Sequence, residues 1–250
     1  MGADATSCCT ETIVDLPGFV VLAAGEYGGE LELLVETTAT EVDCSQCGTG
    51  AVVHDRREHL LRDVPVAGRA TVLVWWKRIW RCPNPSCVVR TWTEQSPLAR
   101  PRQSLTARVK AWVTRRVGAD GETVSSVARS LGVGWWSVMR AVVEVGRPMV
   151  DDPGRLADVS GLGVDEHAWQ RANAVRTTQY ATGVVGLRPN RPARLLEVAP
   201  GRSGRVYGDW LAQQPDCWRE QITVAALDPF RGYLNALREH LPGATHVLDA

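Results

Sequence analysis

The chain has 250 residues, of which 44% are hydrophobic and 22% are charged. This composition supports a buried core and excludes disorder along the whole length. No stretch approaches the roughly 18 uninterrupted apolar residues of a membrane span, and no Lys or Arg precedes Arg56, so the basic start of a secretory signal is absent. We therefore expect an intracellular protein without a membrane segment.

The formal net charge of zero conceals an uneven distribution of charge. Residues 1–43 hold nine acids and no base, residues 44–150 hold 17 bases and seven acids, and residues 151–250 hold 11 bases and 12 acids. A central block with a net charge of +10 is typical of a region that binds a polyanion. A solvated basic surface would have the same composition.

Composition also divides the chain into segments. The first segment contains a strand-like stretch at Glu30–Glu36. Pro148, Pro153 and Gly154 interrupt helix continuity and indicate a linker. The predicted divisions are an acidic lead (1–43), a Cys-, Pro- and Trp-rich β domain (44–100), a helical domain (104–147), a linker (148–159) and an α/β domain (160–250).

Two short-spaced cysteine pairs form the first candidate site. Cys44 and Cys47 make one pair, and Cys82 and Cys87 make the other. Each pair can present two thiolates from one tight turn, which suits a tetrahedral zinc ion. The interval between the pairs contains strand-like segments, one of which leads directly into Cys82. We therefore predict a zinc-binding β domain in which a small sheet brings the pairs together, with structural zinc as the cofactor.

Other assignments of these cysteines stay open. Two reduced, buried pairs would fit the spacing, whereas disulfides are disfavoured by the expected intracellular location. His54 and His59 are possible substitute ligands, but four thiolates already close the site. Three further cysteines have no partner at metal spacing and are expected to be incidental: Cys8, Cys9 and Cys217.

The helical domain carries a more specific pattern. An apolar stripe predicts a helix over residues 105–117, and two more stripes predict helices on either side of Gly132. Thr123 is a plausible N-cap of the second helix. The spacing of Ala128, Gly132 and Val138 resembles the DNA-binding helix-turn-helix, in which the second helix lies in the major groove. An ordinary helical hairpin with buried tryptophans is the alternative.

The resemblance implies two sets of DNA contacts. Residues near the start of the second helix would face the base edges, and basic residues around them would contact phosphates. The base-facing candidates are Trp135, Trp136, Ser137 and Arg140, and the phosphate candidates are Arg108, Lys110, Arg115, Arg116 and Arg129. Binding of this kind weakens with added salt because counterions are released from the DNA.

The last segment shows apolar strands that end in acids. Strands are predicted at 160–167, 178–187, 194–198, 221–228 and 245–249, with helices at 205–214 and 234–241. This order fits a ribonuclease-H-like α/β fold. Asp165 and Asp228 would emerge at the sheet margin, where two carboxylates can hold divalent metal ions for phosphodiester chemistry. Strand-ending aspartates often serve only as helix caps, and Glu166 and His167 are expected to be less well aligned with Asp165.

In combination, these parts resemble the ISL-three family of bacterial insertion-sequence transposases. The matching stretches are Cys44–Cys47, Arg62–Gly68, Trp80–Cys87, Gly163–Glu166 and Leu227–Tyr233. The resemblance implies a DDE transposase that binds the terminal inverted repeats of its transposon. Asp165 and Asp228 match the first two metal-binding acids, which would hold Mg²⁺ or Mn²⁺. The implied chemistry is hydrolytic nicking at the transposon ends, followed by attack of the freed 3′-hydroxyl on target DNA.

One departure from the family shapes the expectation for this chain. Family members supply a third acid, a Glu, from a later helix, whereas this chain stops after Asp249 and Ala250. We therefore expect a C-terminally truncated transposase with little or no catalysis alone. It could act at the bacterial nucleoid with a second copy or a full-length transposase as partner.

The expected fold class is α+β multidomain: a small β zinc-binding domain, a helical helix-turn-helix domain and a partial ribonuclease-H-like α/β domain. The main alternative function is a zinc-containing helix-turn-helix transcriptional regulator without catalysis. A third interpretation is a zinc-ribbon interaction protein without DNA contact.

Overall fold

A computed structural model describes residues 14–248 of the chain. The chain forms two compact units, Met1–Val150 and Asp151–Ala250. Cys8, Cys9 and Asp249 lie outside the described residues. Over residues 14–248, no helix has both the length and the apolar character needed to cross a membrane.

The first unit is built on a five-stranded mixed sheet. Its strands are β1 (Phe19–Tyr27), β2 (Glu30–Thr37), β3 (Val52–Val66), β4 (Arg69–Arg81) and β5 (Thr91–Thr93). The order is β1-β2-β4-β3, with β5 paired to β4. Strands β2 and β4 run parallel, with Leu33 opposite Leu73 and Val35 opposite Trp75. All four of these side chains are fully buried, so this central pairing forms the core of the sheet.

Within the acidic segment predicted as a lead over residues 1–43, residues 19–37 supply strands β1 and β2 of this sheet. Both strands carry acids that pair with bases of β3 and β4. The ion pairs are Glu26–Arg69 at 2.9 Å, Glu30–Arg62 at 2.5 Å, Glu36–Arg56 at 2.8 Å and Glu36–Arg78 at 2.5 Å. Part of the basic charge of residues 44–150 is therefore neutralised inside the unit.

After the sheet come the helices α1 (Ala107–Gly118), α2 (Val124–Leu131) and α3 (Trp135–Val150). Thr123 caps α2 by accepting a hydrogen bond from the Ser126 N–H, as predicted. Gly132 ends α2 in the left-handed conformation, with φ +63°, and its N–H returns to the Ala128 carbonyl. Val127, Leu131 and Val138 are fully buried between the helices. The predicted helix-turn-helix is thus present.

The helices are attached to the sheet through a buried carboxylate. Asp63 on β3 is 0% exposed, and it accepts hydrogen bonds from the Thr106 hydroxyl at 2.6 Å and from Arg108 Nε at 2.8 Å. The backbone of Arg62 also bonds to that of Ser104 and Thr106 on the chain leading into α1. The predicted division between a β domain and a helical domain therefore falls inside one compact unit.

The second unit is a mixed sheet with helices on one face. Its elements are β6 (Gly161–Gln170), β7 (Gln179–Arg188), β8 (Arg191–Pro200), α4 (Gly204–Ala212), α5 (Asp216–Glu220), β9 (Val224–Leu227), α6 (Arg231–His240) and β10 (Thr245–Leu248), preceded by a 3-10 turn at Pro153–Leu156. The strand order is β10-β9-β6-β7-β8, antiparallel across β6-β7-β8 and parallel across β6-β9-β10. The predicted succession of three strands, helix, strand, helix and strand is confirmed, with α5 as an additional short helix.

We predict that Gly132→Ala destabilises the first unit by about 2 kcal/mol, because a left-handed φ is costly for an L side chain. A Cβ at this position would lie 2.6 Å from Glu30 Oε1 and 3.1 Å from Arg62 Nη1, so the Glu30–Arg62 ion pair would also have to shift. Thermal denaturation should show a melting temperature lower by roughly 4–8 °C.

Gly134→Ala is the matched control for this prediction. It lies in the same turn, but no heavy atom lies within 4 Å of its added Cβ and its φ is not in the left-handed range. We expect its melting temperature to equal that of the wild type. Equal melting temperatures for both variants would contradict the role given to Gly132.

Candidate functional site

The four predicted zinc ligands converge at one end of the first unit. The sulfur atoms of Cys44, Cys47, Cys82 and Cys87 all lie within 4.8 Å of one another. Cys44 Sγ is 3.7 Å from Cys87 Sγ, and Cys47 Sγ is 3.5 Å from Cys82 Sγ. A tetrahedral zinc ion with Zn–S bonds of about 2.3 Å requires sulfur separations of about 3.8 Å. The cluster therefore has the donor set and spacing of a structural zinc site.

Two tight turns place these thiols. In the first turn the Cys44 N–H bonds to the Thr49 carbonyl at 2.9 Å, and Gly48 adopts a φ of +69°. In the second, the Cys82 N–H bonds to the Arg90 carbonyl at 3.0 Å directly after β4 ends. The predicted arrangement, in which strands carry the two pairs together, is present.

Burial and hydrogen bonding act differently on the thiols. Desolvation by burial raises the pKa of Cys82 to about 12 and also raises the pKa of Cys87. Hydrogen bonds from Thr49 lower the pKa of Cys47 to about 6. The buried thiols therefore need a cation beside them to remain thiolates near neutral pH, and this agrees with metal binding.

The possible substitute ligands do not join the cluster. His54 is exposed on β3, and His59 Nε2 is hydrogen-bonded to the Gln103 carbonyl at 2.7 Å. Cys217 is exposed in the second unit. Over residues 14–248, only the four cysteines form a group of three or more His, Cys, Asp or Glu side chains able to share a metal ion.

The start of α3 exposes the predicted base-facing residues. Trp135 is 42% exposed and Trp136 is 67% exposed, and their rings meet edge to face with centroids 4.8 Å apart. Arg140 is exposed and Ser137 is half-buried. Because the tryptophans are not buried, the alternative of an ordinary hairpin packed around them is not supported.

The predicted phosphate contacts differ in their environments. Arg115 and Arg129 are exposed, and Arg116 lies 5.5 Å from the Trp112 ring and pairs with Glu122. By contrast, Arg108 is ion-paired to the buried Asp63, and the buried Lys110 pairs with Glu144 at 2.8 Å. These two side chains stabilise the unit, a role that sequence reasoning missed.

The second unit brings Asp165 and Asp228 to neighbouring positions. The parallel pairing of β6 with β9 ends at Val164 opposite Leu227. The next residues are Asp165, which is still on β6, and Asp228, which is the first residue after β9. Val164 and Leu227 are both buried in the core on the helix-covered face. Because side chains alternate along a strand, Asp165 is placed on the face opposite to Val164, and Asp228 follows β9 at the same level. Asp165 is exposed and Asp228 is half-buried.

On the helix-covered face of the sheet, a pair of buried hydroxyl groups lies next to Glu166. Glu166 lies opposite Thr182, whose hydroxyl is 3.0 Å from the fully buried Tyr233 hydroxyl. The pKa of Tyr233 is raised first by burial and then by the carboxylates of Glu166, Asp165 and Asp228, while the Thr182 hydrogen bond lowers it. All three carboxylates therefore act electrostatically on one buried hydroxyl. Sequence reasoning missed Tyr233 and Thr182, since nothing in a single sequence pairs residues that lie 51 positions apart.

Three family models match consecutive parts of the chain. The zinc-finger of transposase IS204/IS1001/IS1096/IS1165 matches residues 40–87, and the helix-turn-helix domain of transposase family ISL3 (ISL-three) matches residues 94–146. The ISL3 DDE model, described as a transposase, matches residues 162–250. Together they cover about three quarters of the chain. A comparison with curated proteins gives no match.

Solved structures give more distant similarities. A Drosophila P element transposase strand transfer complex matches at 10% identity with a TM-score of 0.33, covering 59% of this chain and 41% of that one. A pre-cleavage Mos1 transpososome matches at 11% identity with a TM-score of 0.19, covering 62% of this chain and 61% of that one. This chain therefore spans less than two thirds of the length of either protein.

Proposed function

Because this chain belongs to the ISL3 family of insertion-sequence transposases, we propose that it binds the terminal inverted repeats of its element and carries out divalent-metal-dependent cleavage and transfer of DNA strands. The observation that carries the proposal is the paired position of Asp165 and Asp228 at one sheet edge, in a chain that also has a helix-turn-helix. The family matches lend no support to the alternative of a transcriptional regulator.

The first unit supplies DNA binding in this proposal. Helix α3 begins with the exposed Trp135 and Trp136, and Arg140 follows one turn later. The helix can therefore offer DNA both apolar and cationic side chains. An arginine can bond two acceptors of a guanine edge, and apolar side chains can contact the thymine methyl. Phosphate contacts are proposed for the exposed Arg115 and Arg129, with Arg116 beside them.

The second unit supplies the chemistry. Carboxylate oxygens are the ligands that Mg²⁺ and Mn²⁺ prefer, and the residues two positions before Asp165 and Asp228 are the small, paired Gly163 and Ala226. The donor set and these small neighbours therefore fit a divalent ion held by the two aspartates. A bound ion would supply charge stabilisation at the scissile phosphate and activate the attacking oxygen.

Glu166 has a different role from the two aspartates in this proposal. It pairs with Thr182 on the helix-covered face, and its Oε1 lies 3.5 Å from Arg202 Nη1. Arg202 in turn lies over the Tyr180 ring at 4.1 Å. We therefore assign Glu166 to holding the Arg202 side chain in place and not to holding a metal ion.

The proposal is tested by DNA binding of an Arg140→Gln variant. We expect its affinity for a duplex carrying the terminal repeat to fall by about 5- to 150-fold, the equivalent of 1–3 kcal/mol for one base contact. The affinity for unrelated duplexes should fall much less, because base contacts specify whereas phosphate contacts only position. Fluorescence anisotropy over a salt series measures both quantities.

Arg69→Gln provides the matched control for charge removal. Arg69 is on β4, outside the helix-turn-helix, and is paired to Glu26. Its affinity should equal that of the wild type. Salt-insensitive or absent DNA binding by the wild type would overturn the proposal in favour of an interaction protein.

The partners and location follow from this function. The proposed ligand is double-stranded DNA in the bacterial cytoplasm, at the nucleoid. A second copy of the chain or a full-length transposase is the proposed protein partner, since two transposon ends must be held together for strand transfer.

A further inference from the structure

A basic cavity in the first unit is not accounted for by the zinc cluster or by the helix-turn-helix. It has a volume of about 350 Å³ and is lined by side chains of β3 and β4 and by the chain before α1. Its cationic lining residues are Arg57, Lys77 and Arg102, with His59 beside them. Glu58 also borders the cavity, but it is the next residue after Arg57 and pairs with Trp76. Its side chain therefore leaves the opposite face of the sheet from Arg57 and Lys77.

Arg57 and Lys77 are placed directly opposite each other. They are cross-strand partners in the antiparallel pairing of β3 with β4, so both side chains leave the same face of the sheet. Like charges in this position repel and destabilise the pairing. Lys77 is nevertheless 2% exposed, which makes this one of the most costly places in the unit for a cation.

Among residues 14–248, no side chain or carbonyl forms a hydrogen bond or ion pair with the Lys77 ammonium, and its Nζ is not one of the fully buried nitrogens without a partner, so it reaches the space of the cavity. Its ammonium lies over the Trp75 ring, 4.1 Å from the centroid. The nearest carboxylate that affects it is Glu94, which already accepts from Trp75 Nε1 at 3.0 Å and from the Thr37 hydroxyl at 2.7 Å. Burial lowers the pKa of Lys77, Glu94 raises it and Arg57 lowers it again. No protein oxygen therefore accepts a hydrogen bond from the ammonium, which is open to an acceptor in the cavity.

The cavity adjoins the surface of the helix-turn-helix. Arg102 also lines a second cavity of about 210 Å³, whose other lining residues include Ser137 and Arg140 of α3. Arg102 therefore borders both cavities, with Arg140 lining one and Lys77 and Arg57 lining the other, while Glu144 in the second cavity is paired with Lys110. DNA backbone phosphates are spaced regularly, at about 3.4 Å per base along each strand.

We propose that the cavity lined by Lys77, Arg57 and Arg102 binds a phosphate group of the DNA backbone, on the same duplex that α3 contacts. The proposal rests on the DNA-binding function proposed above. The phosphate oxyanion gives the Lys77 ammonium an anionic acceptor inside the cavity and relieves the repulsion between Lys77 and Arg57. The shared chemistry is that of a phosphate group, so inorganic phosphate is the competing source.

The test compares Lys77→Met with the wild type and with the Arg69→Gln control. Met keeps the length and packing of the Lys stem and removes the buried charge, so the melting temperature without DNA should stay the same or rise. The slope of log K against log salt for duplex DNA should become shallower by about 0.9, the value for one lost phosphate contact. This loss should appear equally on specific and unrelated duplexes. Arg57→Gln, on an exposed strand position, should show the same change of slope and covers the case in which Lys77→Met fails to fold.

A second arm measures the melting temperature in inorganic phosphate against chloride at equal ionic strength. If the wild type binds DNA and both variants keep its affinity and slope, the inference is overturned while the proposed function stands. If the wild type fails to bind DNA but phosphate raises its melting temperature and not that of Lys77→Met, the oxyanion site stands with free phosphate as its ligand and the proposed function fails. If neither ligand distinguishes wild type from variants, the site does not exist.

Discussion

Replacing Cys82 with Ser should remove zinc from the first unit and strongly lower its thermal stability. Structural zinc contributes about 10–16 kcal/mol of binding free energy in small zinc-binding peptides, which is comparable to the whole stability of a domain, about 5–15 kcal/mol. Cys82 is buried beside Cys44 and Cys87, and it directly follows β4. We expect zinc content measured by atomic emission to fall from one ion per chain to near zero, and the melting transition of the first unit to shift down or disappear.

The reason for so large an effect is the place of the cluster in the sheet. Zinc links the turn at Cys44–Cys47 to the turn at Cys82–Cys87, and these turns bracket the paired ends of β3 and β4, where Val52 lies opposite Arg81. The buried residues around the cluster are the cysteines themselves, with Val89 and Trp92 only partly buried against them. This end of the sheet therefore has little apolar core to stabilise it without the metal.

Cys217→Ser is the matched control, since Cys217 is exposed and belongs to the second unit. It should retain zinc and the wild-type melting temperature. A chelator should reproduce the Cys82→Ser effect in the wild type, and added zinc should reverse it. Full zinc occupancy in Cys82→Ser would show that these four thiols are not the metal site.

Sequence signals that act over short distances predicted the structure of this chain better than the distribution of charged residues did. The helix-turn-helix follows from residues within a few turns of each other, because the Thr123 cap, the Gly132 turn and the buried Val138 act over short distances. The acidic segment was predicted as a separate lead, yet it supplies β1 and β2. Its central contact is the parallel pairing of β2 with β4, about 40 positions away, and nothing local specifies that pairing.

The partners of the cationic side chains could not be predicted from the sequence either. Arg108 and Lys110 were grouped with the other bases as phosphate contacts, because a sequence shows the charge but not its partner. In the folded unit Arg108 is held by Asp63, 45 positions away, and Lys110 by Glu144, 34 positions away. Lys77 is the opposite case, a buried base placed directly opposite another base, Arg57, and only the cross-strand register reveals this.

Asparagine at either catalytic candidate, Asp165→Asn or Asp228→Asn, should abolish whatever strand cleavage the chain shows and weaken its binding of a divalent ion, while leaving DNA binding unchanged. Both variants keep the size of the side chain and remove the charge needed to hold a divalent ion. Loss of several kcal/mol of transition-state stabilisation is about a 1,000-fold decrease in rate, at 1.4 kcal/mol per tenfold. Cleavage of a labelled terminal-repeat duplex with Mg²⁺, together with anisotropy for binding, measures the two effects separately.

Asp209→Asn is the matched control, because Asp209 lies on α4, is exposed, and pairs only weakly with Arg205 at 3.5 Å. Cleavage by this variant should equal that of the wild type. Manganese titration followed by electron paramagnetic resonance adds a readout that needs no turnover. The wild type and Asp209→Asn should bind the ion, and the two candidate variants should bind it far more weakly. Equal manganese affinity in all four proteins would mean that the two aspartates do not share a metal, and the end of β9 would then be only the start of the turn into α6.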